Sequence, residues 1–184
     1  MARPSDVPIP QEPMSPYPIN TEFCDIVCGF GRGSSELGIP TANVPIDQLP
    51  SIVEKLPLGV YFGFCRVAKV DSECTRVVKR KDGRSVDYNF GATLNNKDLE
   101  TWPVVLSIGL NPFYHNKAKT VELHIMHKFS DDFYGAKVKF NILGFIRPEL
   151  DYTTKEALIK DINTDIEIAK KTLNTPPYSE YSHL

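Results

Sequence analysis

Gly29-Phe30-Gly31-Arg32-Gly33-Ser34-Ser35-Glu36-Leu37-Gly38-Ile39-Pro40-Thr41-Ala42-Asn43 decides which folds this chain can adopt. Glycines at 29, 31, 33 and 38 permit close backbone approaches that a side chain would block. Pro40 fixes its own φ and pushes Ile39 towards an extended form. No Gly-Lys-Ser/Thr follows, so this is not a Walker A loop. The Gly29-x-Gly31 start only echoes the dinucleotide fingerprint, and Gly38 and Pro40 oppose the helix that fingerprint needs. If the backbone stays extended through 41–43, the Thr41 and Asn43 side chains point the same way. Two neutral oxygen donors then face one spot beside a bare loop. A phosphate with its metal ion would fit there; a packed turn is the alternative.

Outward from this stretch, composition sets the class. The 184 residues suit one domain. A hydrophobic share of 41% and a charged share of 24% are ordinary for a globular protein. A net charge of −2 argues against a dedicated nucleic-acid or anionic-membrane binder. No apolar run approaches a membrane span, and no signal peptide or presequence is visible. The expected address is the cytoplasm, with a mitochondrial pool left open. Cysteines at 24, 28, 65 and 74 form no paired knuckle and read as reduced thiols rather than disulfides or a zinc site.

Residues 1–20 carry six prolines and read as an extended arm. A first strand is expected over 23–28, then a loop with at most a helical turn over 44–56, and a strand over 59–70. Residues 74–90 read as a hairpin around Lys81-Asp82-Gly83-Arg84, with a basic, solvated tip. Residues 91–103 connect. Val104, Leu106, Ile108 and Leu110 alternate as a half-buried strand. The next strand, 120–127, puts Val121, Leu123, Ile125 and His127 on one face and Thr120, Glu122, His124 and Met126 on the other. A strand over 137–146 follows. Thr153 and Glu156 form a capping-box pattern, and Leu158, Ile162, Ile166, Ala169 and Leu173 form a helical core stripe. Short strands closed by one helix predict an all-β core: a closed six-stranded antiparallel Greek-key barrel with the C-terminal helix packed outside. The expected divisions are an arm at 1–20, the barrel domain at 21–175 and a tail at 176–184.

Glu122 is the acid that stands out, because glutamate is disfavoured in strands and its face is polar. It could take a proton from an alcohol nucleophile, or be an ordinary exposed strand residue. His124 and His127 point to opposite faces and cannot easily share an ion.

At these residues the sequence resembles the riboflavin kinases of eukaryotic, monofunctional type. The glycine stretch matches their signature. Ser107-Ile-Gly-Leu-Asn-Pro112, Glu122-Leu-His-Ile-Met-His127, Asp132-Phe-Tyr-Gly135 and Phe145-Ile-Arg-Pro-Glu149 follow in the family's order. The resemblance, over roughly residues 23–173, implies the barrel just described. It also implies transfer of the ATP γ-phosphate to the ribityl 5′-hydroxyl of riboflavin, giving FMN and ADP. Thr41 and Asn43 would hold Mg2+, or Zn2+ or Mn2+, with the phosphates, and Glu122 would be the base. Gly29, Gly31, Gly33, Ser35, Thr41, Lys119, Thr120, His127, Phe133 and Gly135 would line the nucleotide side. Phe140, Leu143, Phe145 and Arg147 would lie towards the flavin. The implied partners are these small molecules, with no nucleic acid and no membrane, around a monomer.

Two features depart from the family pattern. Residues 71–101 read as a surface insertion without an assigned role. Ala118 stands where a second basic residue would strengthen phosphate binding. There is no room for an adenylyltransferase domain, so FAD synthesis is not expected. The rivals are a non-catalytic flavin or nucleotide module on the same barrel and, more weakly, a single-strand nucleic-acid barrel. Thr41, Asn43 and Glu122 together favour the enzyme, since binding alone needs no acid.

Overall fold

The computed structural model describes residues 7–28, 41–79, 83–110 and 118–184. Two very short strands come first, β1 (Ile19–Asn20) and β2 (Cys24–Asp25), followed by β3 (Ala42–Val44). A 3₁₀ turn (Ile46–Gln48) and the one-turn helix α1 (Ile52–Lys55) lead into β4 (Gly59–Ala68). Then come β5 (Arg76–Lys79), β6 (Ser85–Tyr88), β7 (Thr101–Leu110), β8 (Lys119–Ile125), β9 (Lys137–Ile142) and β10 (Gly144–Pro148). Helices α2 (Lys155–Leu173) and α3 (Pro176–Ser179) and a last 3₁₀ turn (Glu180–Ser182) close the chain.

Among the described residues the main sheet is antiparallel and runs β1-β9-β4-β7-β8-β3, with β10 also on β4 and β2 on β9. An isolated bridge joins Val27 to Asn43 of β3, with the Val27 N–H donating to the Asn43 carbonyl at 2.9 Å. Among the described residues β5 and β6 pair only with each other, as expected of the 74–90 hairpin; residues 80–82 of its turn lie outside the described residues. The all-β core with a C-terminal helix therefore stands.

β4 explains why the core is thick. Val60 through Cys65 are buried on both faces, because each face meets a different apolar layer. Tyr61, Cys65, Leu106, Ile108, Leu123, Val138 and Phe140 fill the inner layer. Val60, Phe62, Phe64, Val105, Leu143 and Ile146 form the outer layer, under Ala169 and Leu173 of α2 and Tyr178 of α3. The outer layer makes β7 buried on both sides along Val104–Leu106, not half-buried as alternation suggests.

Several boundaries differ from the sequence expectation. β7 begins at Thr101, because Pro103 does not break it. The Pro103 carbonyl accepts from the Met126 N–H at 2.9 Å, so its nitrogen also faces the β8 side, where the ladder has already ended. The strand expected over 137–146 is split at Leu143. Phe140 pairs with Cys65 but Gly144 pairs with Phe62, so one residue bulges out. The Asn141 side-chain oxygen then accepts from the Phe64 N–H at 2.8 Å. The gap is open because residue 63 is glycine: a Cβ there would lie 2.0 Å from the Asn141 carbonyl oxygen.

The helix cap is Thr154 rather than Thr153; its hydroxyl accepts from the Ala157 N–H at 3.1 Å. The buried positions of α2 are Asp161, Asp165, Ala169 and Leu173, while Leu158, Ile162 and Ile166 are half-buried. The two acids replace apolar residues because they have partners. Asp165 takes Arg147 Nε through both oxygens at 3.0 Å and Nη2 at 2.9 Å. Asp161 accepts from the Tyr152 hydroxyl at 2.7 Å. Residues at both ends of the chain pack on the body: Tyr178 donates to the Pro10 carbonyl at 2.7 Å, and Asn141 to that of Tyr181 at 2.9 Å.

Candidate active site

The register of three strands builds the site. Glu122 of β8 is paired with Asn43 of β3 on one side and Ser107 of β7 on the other. Paired residues in antiparallel strands project to the same face, so these three side chains form one row across the sheet. Val105 is paired with His124 and Gly109 with Thr120, which extends the same face in both directions. Val105 is roofed by the outer layer under α2. The polar row thus lies at the margin of an apolar roof, which is where a ligand with a flat apolar part and a polar tail could rest.

Glu122 is only half-buried, yet burial pushes its carboxyl above the ordinary glutamate value of 4.5. A half-exposed carboxylate with raised basicity suits proton abstraction. Thr41 lies two residues before Asn43 and shares its face by alternation. A cleft of about 960 Å³ runs between residues 123–134 and α2, and Thr41, His124, His127, Phe133, Ile166 and Glu167 are among its lining residues.

His127 follows the end of β8 and is held from three sides. Its Nε2 lies 2.8 Å from Asp98 Oδ1, its ring stacks on Trp102 at 4.0 Å, and Phe129 meets it edge-on at 4.7 Å. Burial works against the charged form of Asp98. Hydrogen bonds from the Asn95 N–H and from His127 outweigh it and hold the carboxyl below its usual value.

The structure brings Asn43, Thr120 and Glu122 to one face, and Thr41, His127 and Phe133 to the cleft. It does not bring Lys119 there. That side chain alternates to the opposite face, where its ammonium donates to the Glu54 and Leu56 carbonyls. Gly135 sits beneath the Phe90 ring with φ +87°. Phe140 is buried in the inner layer, Leu143 in the outer one, and Phe145 packs edge-on against Tyr61 at 5.1 Å. Arg147 is engaged by Asp165. Gly29, Gly31, Gly33 and Ser35 lie outside the described residues. Ser107 was not singled out from the sequence, because only the pairing register shows it beside Glu122. Asp98 was missed for a similar reason: its partner is 29 residues away.

Residues 16–173 match the family model described as "Flavokinase: Riboflavin kinase". The chain belongs to the riboflavin kinase family. It is 67% identical over 175 residues to a riboflavin kinase of Candida glabrata, covering 94% of this chain and 92% of that one. A riboflavin kinase of Kluyveromyces lactis is 65% identical over 178 residues, covering 97% and 96%. The crystal structure of riboflavin kinase from Trypanosoma brucei superposes with a TM-score of 0.63 at 26% identity, covering 93% of this chain and 89% of that one. No helix among the described residues is long and apolar enough to cross a membrane.

Proposed function

We propose that this member of the family phosphorylates riboflavin to FMN with ATP, using Glu122 as the base. The observation that carries the assignment of Glu122 is its place in the row Asn43–Glu122–Ser107, next in sequence to Leu123 and His124, which line the cleft. The Glu122 carboxylate takes the proton of the ribityl 5′-hydroxyl as that oxygen attacks the γ-phosphorus. The bond from the γ-phosphorus to the β–γ bridging oxygen breaks, and ADP leaves with the electron pair. Such a reaction asks a protein mostly to position groups and to offset charge.

The donor set fits a divalent ion shared with phosphates. Thr41 and Asn43 offer neutral oxygens, which suit magnesium when a triphosphate supplies the charge. Among the described residues no group of three or more His, Cys, Asp or Glu could hold an ion alone. When bound, magnesium would neutralise charge on the transferring phosphate, with zinc or manganese as possible substitutes.

The glycine stretch from Gly29 to Ser35, with Thr120, His127, Phe133 and Gly135, belongs to the nucleotide side in this reading. Lys119 supports it indirectly, by pinning the α1 turn to β8. Phe140, Leu143, Phe145 and Arg147 form the packed framework of the flavin side. The sheet closes as a six-stranded barrel, a reading supported by the Val27–Asn43 bridge between the β2 segment on β9 and β3 at the far end. The catalytic domain spans 21–175 and works as a cytoplasmic monomer without nucleic acid, with the Pro10 stretch and the tail packed on it. Incubation with riboflavin, ATP and magnesium, followed by chromatography, should yield FMN, and a chelator should abolish it. Absence of FMN in the full mixture would refute the assignment.

A further inference from the structure

The inserted stretch 71–101 has no part in the chemistry above, yet its buried Asp98 reaches the cleft wall through His127. Leu94, buried in the inner layer, anchors the turn that carries Asp98. Within that turn the Asn95 N–H donates to Asp98 Oδ2 at 2.9 Å, and the Asp98 N–H to Asn95 Oδ1 at 3.0 Å. The other carboxyl oxygen, Oδ1, lies 2.8 Å from His127 Nε2. The Trp102 ring stacks on the imidazole, 14° from parallel, with centroids 4.0 Å apart. His127 lines the cleft whereas Asp98 and Trp102 do not, so both hold it from behind. Phe129 and Phe133, with ring centroids 4.6 Å apart, continue the aromatic lining of the cleft. Among the described residues nothing hydrogen-bonds to His127 Nδ1. This end of the cleft therefore offers aromatic surface and one unclaimed ring nitrogen, which suits a flat heterocycle with a polar edge.

We propose that Asp98 is a positioning residue that fixes His127 Nδ1 as an acceptor for the amino group of the adenine base. Burial works against charge on Asp98, but hydrogen bonds from the Asn95 N–H and His127 outweigh it and hold the carboxyl below its usual value. An ionised carboxyl can only accept, so the proton of the neutral ring sits on Nε2 and Nδ1 keeps its lone pair. Adenine presents an amino group, a donor, where a 6-oxo purine presents an acceptor. An acceptor in the cleft wall therefore favours ATP over a nucleotide with a 6-oxo base. Asp98→Asn reverses the wall. The amide oxygen stays on the Asn95 N–H, so the amide nitrogen faces His127 Nε2. Nε2 must then accept, and the ring proton moves to Nδ1. The proposal rests on the reading that the nucleotide occupies the cleft beside His127.

The test measures FMN formation with ATP and with ITP, its 6-oxo counterpart, in the wild type, Asp98→Asn and Asn95→Ala. Asp98→Asn should raise the KM for ATP roughly threefold to tenfold, the worth of one hydrogen bond, and lower that for ITP. The KM for riboflavin should stay within about twofold, less than the loss of one hydrogen bond. Asn95→Ala loosens the same turn without touching His127, so it should lower the unfolding midpoint and leave the ITP-to-ATP ratio of KM values as in the wild type. Long-range proton–nitrogen NMR spectra in mildly alkaline buffer should show the His127 proton on Nε2 in the wild type and on Nδ1 in Asp98→Asn. An unmoved KM ratio in Asp98→Asn would overturn the proposal, as would a doubly protonated wild-type ring or a tautomer that does not switch. So would a rise in the KM for riboflavin alone, or an Asn95→Ala ratio that collapses as far as that of Asp98→Asn, which would mark a purely structural role. Each of these outcomes leaves FMN formation by the wild type standing. No FMN from the wild type with ATP would refute the kinase reading, and the proposal with it.

Discussion

Replacing Asp165 with alanine should unbalance the joint between α2 and the sheet. Asp165 and Arg147 side chains are 1% and 5% exposed, and three contacts of 2.9–3.0 Å bind them. Arg147 remains charged whatever its surroundings, so removing Asp165 strands a guanidinium in an apolar layer. Arg147 would keep a 3.4 Å hydrogen bond to the Pro148 carbonyl and the Tyr152 ring at 5.7 Å, both weaker than the pair it loses. Breaking a buried pair from one side costs about 3–5 kcal/mol. For a domain of this size, that is a fall of about 6–20 °C in unfolding midpoint. It is also a large share of the roughly 5–15 kcal/mol that domains possess. The assay is urea unfolding followed by far-ultraviolet circular dichroism. The double variant Arg147→Met with Asp165→Leu should recover most of the loss, because it buries no charge. A loss below about 1 kcal/mol in Asp165→Ala would refute the reasoning. So would a double variant as unstable as the single one, which would show that shape rather than charge governs the joint.

Gly135→Ala should destabilise by at least about 2 kcal/mol, since φ is +87° and the new Cβ would lie 2.5 Å from the Phe90 ring; thermal unfolding measures it, and Gly83→Ala, at φ +88° with open space around it, isolates the backbone share. The acid limb of log kcat/KM against pH should lie above 4.5, because Glu122 is held neutral longer by burial and acts only when ionised. The same shift has a stability consequence. A carboxyl that binds its proton more tightly when folded loses stability as pH rises from the unfolded to the folded value. Glu122→Gln should therefore be more resistant to urea than wild type at pH 7, with the difference vanishing towards pH 4.

The elements with a strong period were readable in advance. β4 and β8 follow from their runs of apolar and alternating residues, and α2 from its helical spacing. The β8 alternation also put Glu122, His124 and Met126 on one face. The errors share a cause: partners distant in sequence. Residues 91–103 read as a connector, yet β7 already starts at Thr101, with the Pro103 nitrogen facing the end of a ladder. The buried stripe of α2 reads one position off because Asp161 and Asp165 look like surface residues without Tyr152 and Arg147. Lys119 matches the nucleotide side by position, and only the fold shows its ammonium on the Glu54 and Leu56 carbonyls. Among the site residues, Thr41, Asn43 and Glu122 were visible as types, and the resemblance gave them roles. The place of Ser107 beside Glu122 was not visible, because it depends on strand register.

The central claim is that Glu122 accepts the proton of the ribityl hydroxyl. Single-turnover formation of FMN by Glu122→Gln, with saturating ATP, magnesium and riboflavin, tests it most directly. The variant keeps the size of the side chain and the strand pairing but cannot take the proton. The account predicts a rate about 10²–10⁴-fold below wild type, with ATP affinity unchanged within about twofold. A rate within about threefold of wild type would show that some other group, or water, takes the proton.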